Sequence, residues 1–496
     1  MSFRRNSCGV VVCCTLSTFL ASTSLTVGHA RVPSSGPQGS ARGGASTWTS
    51  AANKKITYIK ASNTQPDAKF GSSIALSGDG NTLAVGAVGE ASARKGVGGK
   101  QDDDSAPGAG AVYLFTREGG SWKQQAYIKA SNTDPHDEFG GSVDLSRDGN
   151  TLAVGARLED SSATGINGNQ EDNSSSNSGA VYVFNRKGAV WSQQAYVKPT
   201  KMDTFDDSDE FGKSVALSGD GNTLAVGAVG QSSVGGTVYV FKRTGANWAQ
   251  QAYLKSPMPA DAGLFGASVA LNGAGDALAV AARGVYLFNL SGGTWSQQAR
   301  LQAAHTEQAG PLGAVVFSAD GTTLAASAYD EGSLATGING DYSKAGRALA
   351  VGAAYIFAHS ANTWSQQAYV KPSNSRRNEQ FGWAIALSRD GNTLAIGARI
   401  EESGATGING DQADRSAPDA GAVYVFTRSG DTWSQSAYVK ASNTETYNEF
   451  GVAVALSGDG GTLAVGAHLE PSASTGINGN QADKSALNAG AVYVYY

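Results

Sequence analysis

The side chains of this sequence best suited to chemistry are amide and carboxylate oxygens that recur in one long, glycine-bearing segment. The segment reads GINGNQEDNSSSNSG at 165–179, GINGDQADRSAPDAG at 407–421 and GINGNQADKSALNAG at 476–490. Its shared pattern, Asn-x-Asn/Asp-x-x-Asp, is formed by Asn167, Asn169, Asp172, Asn409, Asp411, Asp414, Asn478, Asn480 and Asp483. Alternating oxygens on a turn are typical of calcium loops, whereas Asn, Asp and Gly also fold solvated loops through side-chain turns. Both interpretations stay open; the sequence favours the structural one, and calcium is the candidate cofactor.

A second candidate is the acidic segment 201–210, which breaks the pattern of the repeat. It reads KMDTFDDSDE and carries five carboxylates, those of Asp203, Asp206, Asp207, Asp209 and Glu210. The segment predicts a site for a cation or a basic ligand, although a solvated acidic loop has the same composition. These five are our candidate ligand-binding residues.

Residue patterns of known catalytic sites are missing from the sequence. It contains no His-Glu-x-x-His zinc motif, no Gly-x-Ser-x-Gly nucleophile motif and no phosphate-binding glycine loop. Acid pairs such as Glu159-Asp160 and Glu401-Glu402 fall in predicted surface loops, and acid–base catalysis needs positioned groups with shifted pKa values. We therefore predict that the protein is not an enzyme.

Composition restricts the partners and the fold. The 496 residues include 65 glycines and only 16% charged residues, as expected for many short strands joined by tight turns. The net charge of −5 argues against nucleic acid as a partner, because phosphate binding needs clustered Lys and Arg.

The first thirty residues have the layout of an export signal. Arg4 and Arg5 precede an apolar run from Val10 to Ala21 that is too short to span a bilayer. We predict a signal peptide over 1–30, a flexible Ser/Gly-rich linker over 31–53 and a folded domain over 54–496. No other segment approaches transmembrane length, so we expect a protein secreted to the periplasm or the extracellular medium, without membrane insertion.

The elements that position the candidate residues come from a sequence repeat. A Phe-Gly pair, once degenerate, occurs seven times, at 70–71, 139–140, 211–212, 265–266, 312–313, 381–382 and 450–451. Each repeat contains four strand-like runs; those of the first are SSIALS (72–77), NTLAVGA (81–87), GAVYLF (110–115) and WKQQAYIK (122–129). The third run is apolar at nearly every position, so its sheet must be covered on both faces. The pattern predicts an all-β, seven-bladed β-propeller with four-stranded antiparallel blades.

The two ends of the chain predict how the ring closes. The seventh repeat stops at GAVYVYY (490–496) and lacks a fourth run, whereas KKITYIK (54–60) precedes the first Phe-Gly. We expect this N-terminal strand to complete the last blade, which also removes a free strand edge.

The pattern of Phe-Gly, Gly-Ala and Gly-Ala-Val-Tyr-Val-Phe over residues 54–496 resembles the FG-GAP repeats of the integrin α-subunit propeller and its bacterial relatives. Two departures stand out. The proline that the family places after Gly-Ala is absent, as in Gly86-Ala87-Val88, and the family's calcium hairpin is shortened to Ser-x-Asp-Gly, as at Asp79-Gly80. One carboxylate per turn cannot supply the six to eight oxygens that calcium takes, so we predict structural hairpin turns there.

The resemblance implies that the long loops lie on the face that integrin propellers use for ligands. We expect a monomeric propeller that acts as a secreted or cell-surface binding or adhesion module, recognising a protein or a glycan through these loops, with or without calcium. Two alternatives stay open. One is a polysaccharide-active or other extracellular propeller enzyme, with non-repeated polar residues at the mouth of the channel; the other is a passive structural protein of a surface or matrix.

Overall fold

The computed structural model describes residues 54–200, 208–230, 235–258, 264–304, 312–342 and 350–496, together with Trp48 and Asp261. Almost all regular structure in these residues is β-strand. The strands are β1 (Ile56–Ile59), β2 (Phe70–Leu76), β3 (Thr82–Ala87), β4 (Ala111–Glu118), β5 (Ser121–Ile128), β6 (Ser142–Leu145), β7 (Thr151–Ala156), β8 (Ala180–Lys187), β9 (Val190–Val197), β10 (Ser214–Leu217), β11 (Thr223–Ala228), β12 (Thr237–Thr244), β13 (Asn247–Lys255), β14 (Val269–Leu271), β15 (Ala277–Ala281), β16 (Val285–Ser291), β17 (Thr294–Leu301), β18 (Val315–Phe317), β19 (Thr323–Ala328), β20 (Ala353–Ser360), β21 (Thr363–Val370), β22 (Phe381–Leu387), β23 (Thr393–Ala398), β24 (Ala422–Ser429), β25 (Thr432–Val439), β26 (Ala453–Leu456), β27 (Leu463–Ala467) and β28 (Ala491–Tyr495).

The strands form seven four-stranded antiparallel sheets, the blades of a propeller. Blade 1 is β2–β5, and each following set of four consecutive strands forms the next blade up to blade 6, which is β22–β25. Blade 7 has the order β26, β27, β28 and then β1. The seven-bladed fold predicted from the repeat count is confirmed.

The first strand of every blade lines the central channel, because β2, β6, β10, β14, β18, β22 and β26 contact one another around a closed ring. Antiparallel pairing then assigns the connections to two faces. We call the face with the loops between second and third strands, and with the linkers between blades, the upper face. The lower face carries the hairpins, including the Ser-x-Asp-Gly turns.

Those turns are closed by their own side chains, as predicted. In blade 1, the Ser77 hydroxyl donates to Asp79 Oδ1 at 2.5 Å, and the Asn81 amide donates to the same oxygen at 3.0 Å. The carboxylate thus stabilises the hairpin directly.

Glycine allows adjacent blades to approach closely. A β-carbon at Gly155 of blade 2 would overlap the carbonyl oxygen of Gly212, in the Phe-Gly pair of blade 3. Gly212 itself has φ +93°, which side-chain-bearing residues rarely adopt. The Phe-Gly and Gly-Ala motifs are therefore two sides of one contact between blades. The tryptophans add a second contact, as where Trp191 Nε1 donates to Gln125 Oε1 of the preceding blade at 2.8 Å.

Seven backbone hydrogen bonds close a ring around the lower end of the channel. Each blade donates one amide to a carbonyl of a neighbouring blade at 2.8–3.0 Å, and the series returns to its start. The residues joined in this way are Gly78, Arg147, Gly219, Gly273, Ala319, Arg389 and Gly458. We call this set the lower ring.

The N-terminal strand completes blade 7. The register pairs Ile56 with Tyr495 and Ile59 with Val492, in antiparallel orientation. Trp48, which falls in the predicted linker, is buried and donates from Nε1 to the Gly460 carbonyl at 2.8 Å. The rest of the predicted linker and the predicted signal peptide lie outside the described residues. Among the described residues, no helix is long and apolar enough to cross a membrane.

Candidate functional site

Five blades hold their long upper loops with the same buried ion pair. A glutamate at the start of the loop meets a lysine at the end of the outermost strand; all five lysines and four of the glutamates are buried, and Glu331 is 12% exposed. The pairs, with their N–O distances, are Glu90–Lys129 (2.7 Å), Glu159–Lys198 (3.0 Å), Glu331–Lys371 (2.8 Å), Glu401–Lys440 (2.8 Å) and Glu470–Lys60 (2.8 Å). We call each of these a loop pin.

The pins correct one expectation from sequence. Glu159 and Glu401 are not surface-loop acids, because they are 1% and 0% exposed. In blade 2, Glu159 also accepts hydrogen bonds from the Tyr196 hydroxyl at 2.8 Å and from the Asn132 side chain at 2.9 Å. Desolvation lowers the pKa of Lys198, but its ion pair with Glu159 opposes that shift. The pins make the loops a fixed platform.

The first asparagine of each candidate calcium motif binds the backbone of its own blade. Asn167 has φ +57°, and its Oδ1 accepts the Tyr196 amide at 2.9 Å. Asn409 and Asn478 do the same with the amides of Tyr438 and Tyr58, at 2.9 and 3.0 Å. The asparagines thus attach the loop to the outermost strand.

The remaining candidate calcium ligands form turns within the loop. Oδ1 of Asn169, Asp411 and Asn480 each accepts an amide two residues on. Asp172, Asp414 and Asp483 each accept amides from both sides of the loop.

These contacts occupy the oxygens that would bind calcium. Hydrogen bonds from Ser162 and Ser174 hydroxyls lower the pKa of Asp172, and the Ser416 and Ser485 hydroxyls do so for Asp414 and Asp483. In the described part of the chain, no three His, Cys, Asp or Glu side chains are grouped so that they could hold a metal. The oxygens already have donors, which favours the structural interpretation; calcium stays a prediction.

The acidic segment is only partly described. Asp203, Asp206 and Asp207 lie outside the described residues. Glu210 stands before the Phe-Gly pair of blade 3, where it pairs with Arg157 of blade 2 at 3.0 Å and with Lys213 at 3.7 Å. Asp209 precedes it, and its carbonyl accepts the Gly230 amide at 3.1 Å. The described part of the segment therefore serves as a contact between blades.

Side chains of three blades meet at the upper mouth of the channel, and three of them, Tyr329, Trp383 and His468, differ from the residues at the equivalent positions of the other blades. Over blades 5–7, the Tyr329 and Trp383 rings lie 5.1 Å apart, and the Arg399 guanidinium lies 3.6 Å from the centre of the Trp383 ring. Arg399 Nη1 pairs with Glu449 at 3.0 Å, and His468 Nε2 lies 3.1 Å from the same carboxylate oxygen. We call these five residues the mouth cluster. Sequence could not reveal it, because its members are far apart in the chain.

The mouth cluster carboxylate, Glu449, and a neighbouring carboxylate outside the cluster, Asp419, have pKa values shifted in opposite directions. Burial alone would raise the pKa of Glu449, but the hydrogen bond from His468 and the charge of Arg399 outweigh it, so the pKa is lowered. Burial and the charge of Glu449 raise the pKa of nearby Asp419. Carboxylates pushed in opposite directions are a feature of acid–base sites.

Tyr447 extends this surface outward. Its side chain is 61% exposed, and its backbone has φ +66°, where bulky residues are uncommon. The equivalent residues of other blades are Asp67, His136, Ser208 and Asn378. Its amide donates to the Pro418 carbonyl, so the backbone that carries this exposed aromatic ring is attached to the loop of blade 6.

Blade 6 contains a second buried acid beside its pin. Glu379 is 1% exposed, and neither of its carboxylate oxygens has a hydrogen-bond partner within the described residues. Burial and the charge of Glu401 raise its pKa to about 8, against a smaller opposing effect of Arg376. Blade 7 carries the neutral Asn448 at the equivalent position.

Replacing Glu379 with glutamine should stabilise the protein above neutral pH. The folded-state pKa of about 8 exceeds the ordinary 4.5, so this acid removes stability as pH rises between those values. We expect Glu379→Gln to raise the free energy of unfolding by about 1–3 kcal/mol at pH 8, because the amide is neutral without taking up a proton, with no gain near pH 4, where the acid is also neutral. Denaturant unfolding across pH measures this, with Glu171→Gln, at an exposed side chain, as control. Identical pH profiles for wild type and Glu379→Gln would contradict it.

A comparison with known protein families agrees with the repeat. The FG-GAP repeat family matches residues 122–184, 191–241, 364–426 and 433–495. Each match runs from the outermost strand of one blade to the third strand of the next. No curated protein matches the sequence. Among solved structures, the β-propeller domain of Cps50 (Swd1) from Myceliophteria thermophila is similar over 89% of this chain and 99% of that one, with 10% identity and a TM-score of 0.48.

Proposed function

We propose that the chain, which is an FG-GAP repeat β-propeller protein, is a secreted or cell-surface binding module that engages a protein or a glycan through its upper face. The observation that carries the proposal is the mouth cluster. Tyr329, Trp383 and His468 have no counterparts at the equivalent positions of the other blades. A repeat keeps its scaffold residues in every copy, so residues that differ on one face are the candidates for recognition.

The chemistry of this surface suits a polar ligand with apolar patches. Aromatic rings, a guanidinium, an imidazole and carboxylates lie together at the mouth, and Tyr447 offers a free ring nearby. The pinned loops of blades 5, 6, 7, 1 and 2 surround it as a fixed rim. Blade 4 has only residues 282–284 between its second and third strands, which opens one side of that rim. We keep calcium as a proposed stabiliser of the loops.

Replacing Tyr447 with asparagine should abolish most binding and leave the fold intact. Asparagine occupies the equivalent position in blade 6, as Asn378, and tolerates positive φ. The measurement is binding of wild type, Tyr447→Asn and His468→Asn to a glycan array and to secreted proteins, with calcium and with chelator. Val190→Ala, which changes a 70% exposed residue of a lower-face hairpin, is the control. If the upper-face variants and the control reduce binding equally, the proposed site is wrong. If wild type binds no ligand, the result would favour a passive structural protein.

A polysaccharide-active enzyme is the second candidate, favoured by the opposite pKa shifts of Asp419 and Glu449. A reducing-end assay on a polysaccharide panel separates the two functions. Turnover that Asp419→Asn eliminates would establish the enzyme, whereas binding without turnover would establish the binding module.

A further inference from the structure

The lower ring carries two side chains that break its pattern. Gly78, Gly219, Gly273, Ala319 and Gly458 contribute at most a β-carbon, so most of the ring has bare backbone. The other two positions are Arg147 and Arg389, of blades 2 and 6. Both are exposed, and both stand at the lower mouth of the channel.

The guanidinium of neither arginine has a hydrogen-bond or ion-pair partner among the described residues, although both backbones belong to the lower ring. Their neighbours Asp148 and Asp390 are engaged in their own hairpins, where each accepts the hydroxyl of the preceding serine at 2.6 Å. Burial and the positive charge of Arg147 both lower the pKa of Arg389, and no carboxylate opposes them. Two like charges thus influence each other, and among the described residues no carboxylate pairs with either of them.

The backbone between the arginines forms a floor without side chains. Along the ring, Gly458 and Gly78 separate Arg389 from Arg147. A β-carbon at Gly78 would lie 2.8 Å from Cγ of Arg147, and one at Gly458 would lie 3.5 Å from Cβ of Arg389. The two side chains therefore flank the glycines; a larger residue at Gly78 would displace Arg147, and one at Gly458 would meet the Gly78 carbonyl oxygen at 2.8 Å.

The ring is small enough for one group to reach both guanidiniums. Adjacent strands joined by such hydrogen bonds lie about 5 Å apart, so a seven-membered ring is about 11 Å across. Side chains as long as arginine can meet over an opening of that size.

We propose that Arg147 and Arg389 form a binding site for an oxyanionic group, a phosphate or a sulfate, at the lower mouth of the channel. Guanidinium groups recognise such oxyanions through paired, charge-assisted hydrogen bonds. Because the chain has a net charge of −5, it has no general attraction for anions, and binding at this site would depend on the two arginines. It is on the face opposite the mouth cluster and is independent of the function proposed above.

Calorimetric titration with inorganic phosphate and with inorganic sulfate, at constant ionic strength, tests the site. We expect saturable binding to the full chain that weakens by about tenfold or more in Arg147→Gln and in Arg389→Gln, the usual effect of losing a hydrogen bond to a charged group. The affinity of Arg147→Lys should lie between those of wild type and Arg147→Gln, because lysine keeps the charge and loses the paired hydrogen-bond geometry. Arg377→Gln, at an exposed upper-face arginine, is the control for net charge.

The outcome decides between a site and nonspecific attraction. Parallel titrations with glucose 6-phosphate and glucose 6-sulfate show whether the group is bound free or as a sugar ester; either pattern supports the proposal if both arginines are needed. Melting curves check that the variants remain folded. No saturable binding by wild type, or equal binding by Arg147→Gln, Arg389→Gln and Arg377→Gln, overturns it.

Discussion

Replacing Lys60 with methionine should lower the free energy of unfolding by about 3–5 kcal/mol, the usual result of breaking a buried ion pair from one side. Lys60 lies on the N-terminal strand, its side chain is 0% exposed, and its Nζ lies 2.8 Å from Glu470 of the last repeat. Methionine fills similar volume but leaves the Glu470 charge buried with only the Tyr58 hydroxyl, the Asn443 side chain and the Ser472 amide.

Denaturant unfolding of matched variants isolates this effect. Lys55→Met, at an exposed lysine of the same segment, should be nearly neutral. The double variant Lys60→Met/Glu470→Met should recover much of the loss, because no lone charge is then buried. If Lys60→Met and Lys55→Met unfold at the same denaturant concentration, the loop pin Glu470–Lys60 does not stabilise the ring.

Replacing Gly397 with alanine should lower the free energy of unfolding by about 3 kcal/mol or more, at the upper end of overpacking effects. The new β-carbon would overlap the Gly451 carbonyl oxygen of blade 7. Both partners belong to the backbone, so no side-chain rotation relieves the clash and the blades must move apart.

The control for this variant is Gly430→Ala, in the lower hairpin of blade 6. Its β-carbon would have nothing within 4 Å, although φ is +59°. We expect a loss of about 1 kcal/mol there, from backbone strain alone. Melting temperatures of the two variants give the comparison, and equal losses would show that blade contact does not select glycine at position 397.

The fold could be predicted from sequence because every blade repeats the same local information. The seven Phe-Gly positions predicted the number of blades. The unmatched run at 54–60 predicted the ring closure that the Ile56–Tyr495 pairing shows. The reason for the glycines lay beyond sequence, because Gly155 and Gly212 meet only when two blades pack.

The candidate site was less predictable, and the loop pins show why. Each pin joins a glutamate to a lysine 39 or 40 residues later in four of the five blades. That spacing was visible in the sequence, but Glu159 and Glu401 looked like ordinary loop acids because burial is set by packing. The mouth cluster gave no such signal, since Tyr329 meets Trp383, and His468 meets Glu449, only when the blades are arranged around the channel.

The most direct test of the closed ring compares two shortened chains, one beginning at Trp48 and one at Ala61. The first keeps the buried Trp48 and β1; the second removes both, together with Lys60 and the partner of β28. We predict that the chain from Trp48 melts at the temperature of the full chain. The chain from Ala61 should melt far below it and regain stability, saturably, when a peptide of residues 48–60 is added. Equal melting of the two shortened chains, unaffected by the peptide, would contradict closure by the N-terminal strand.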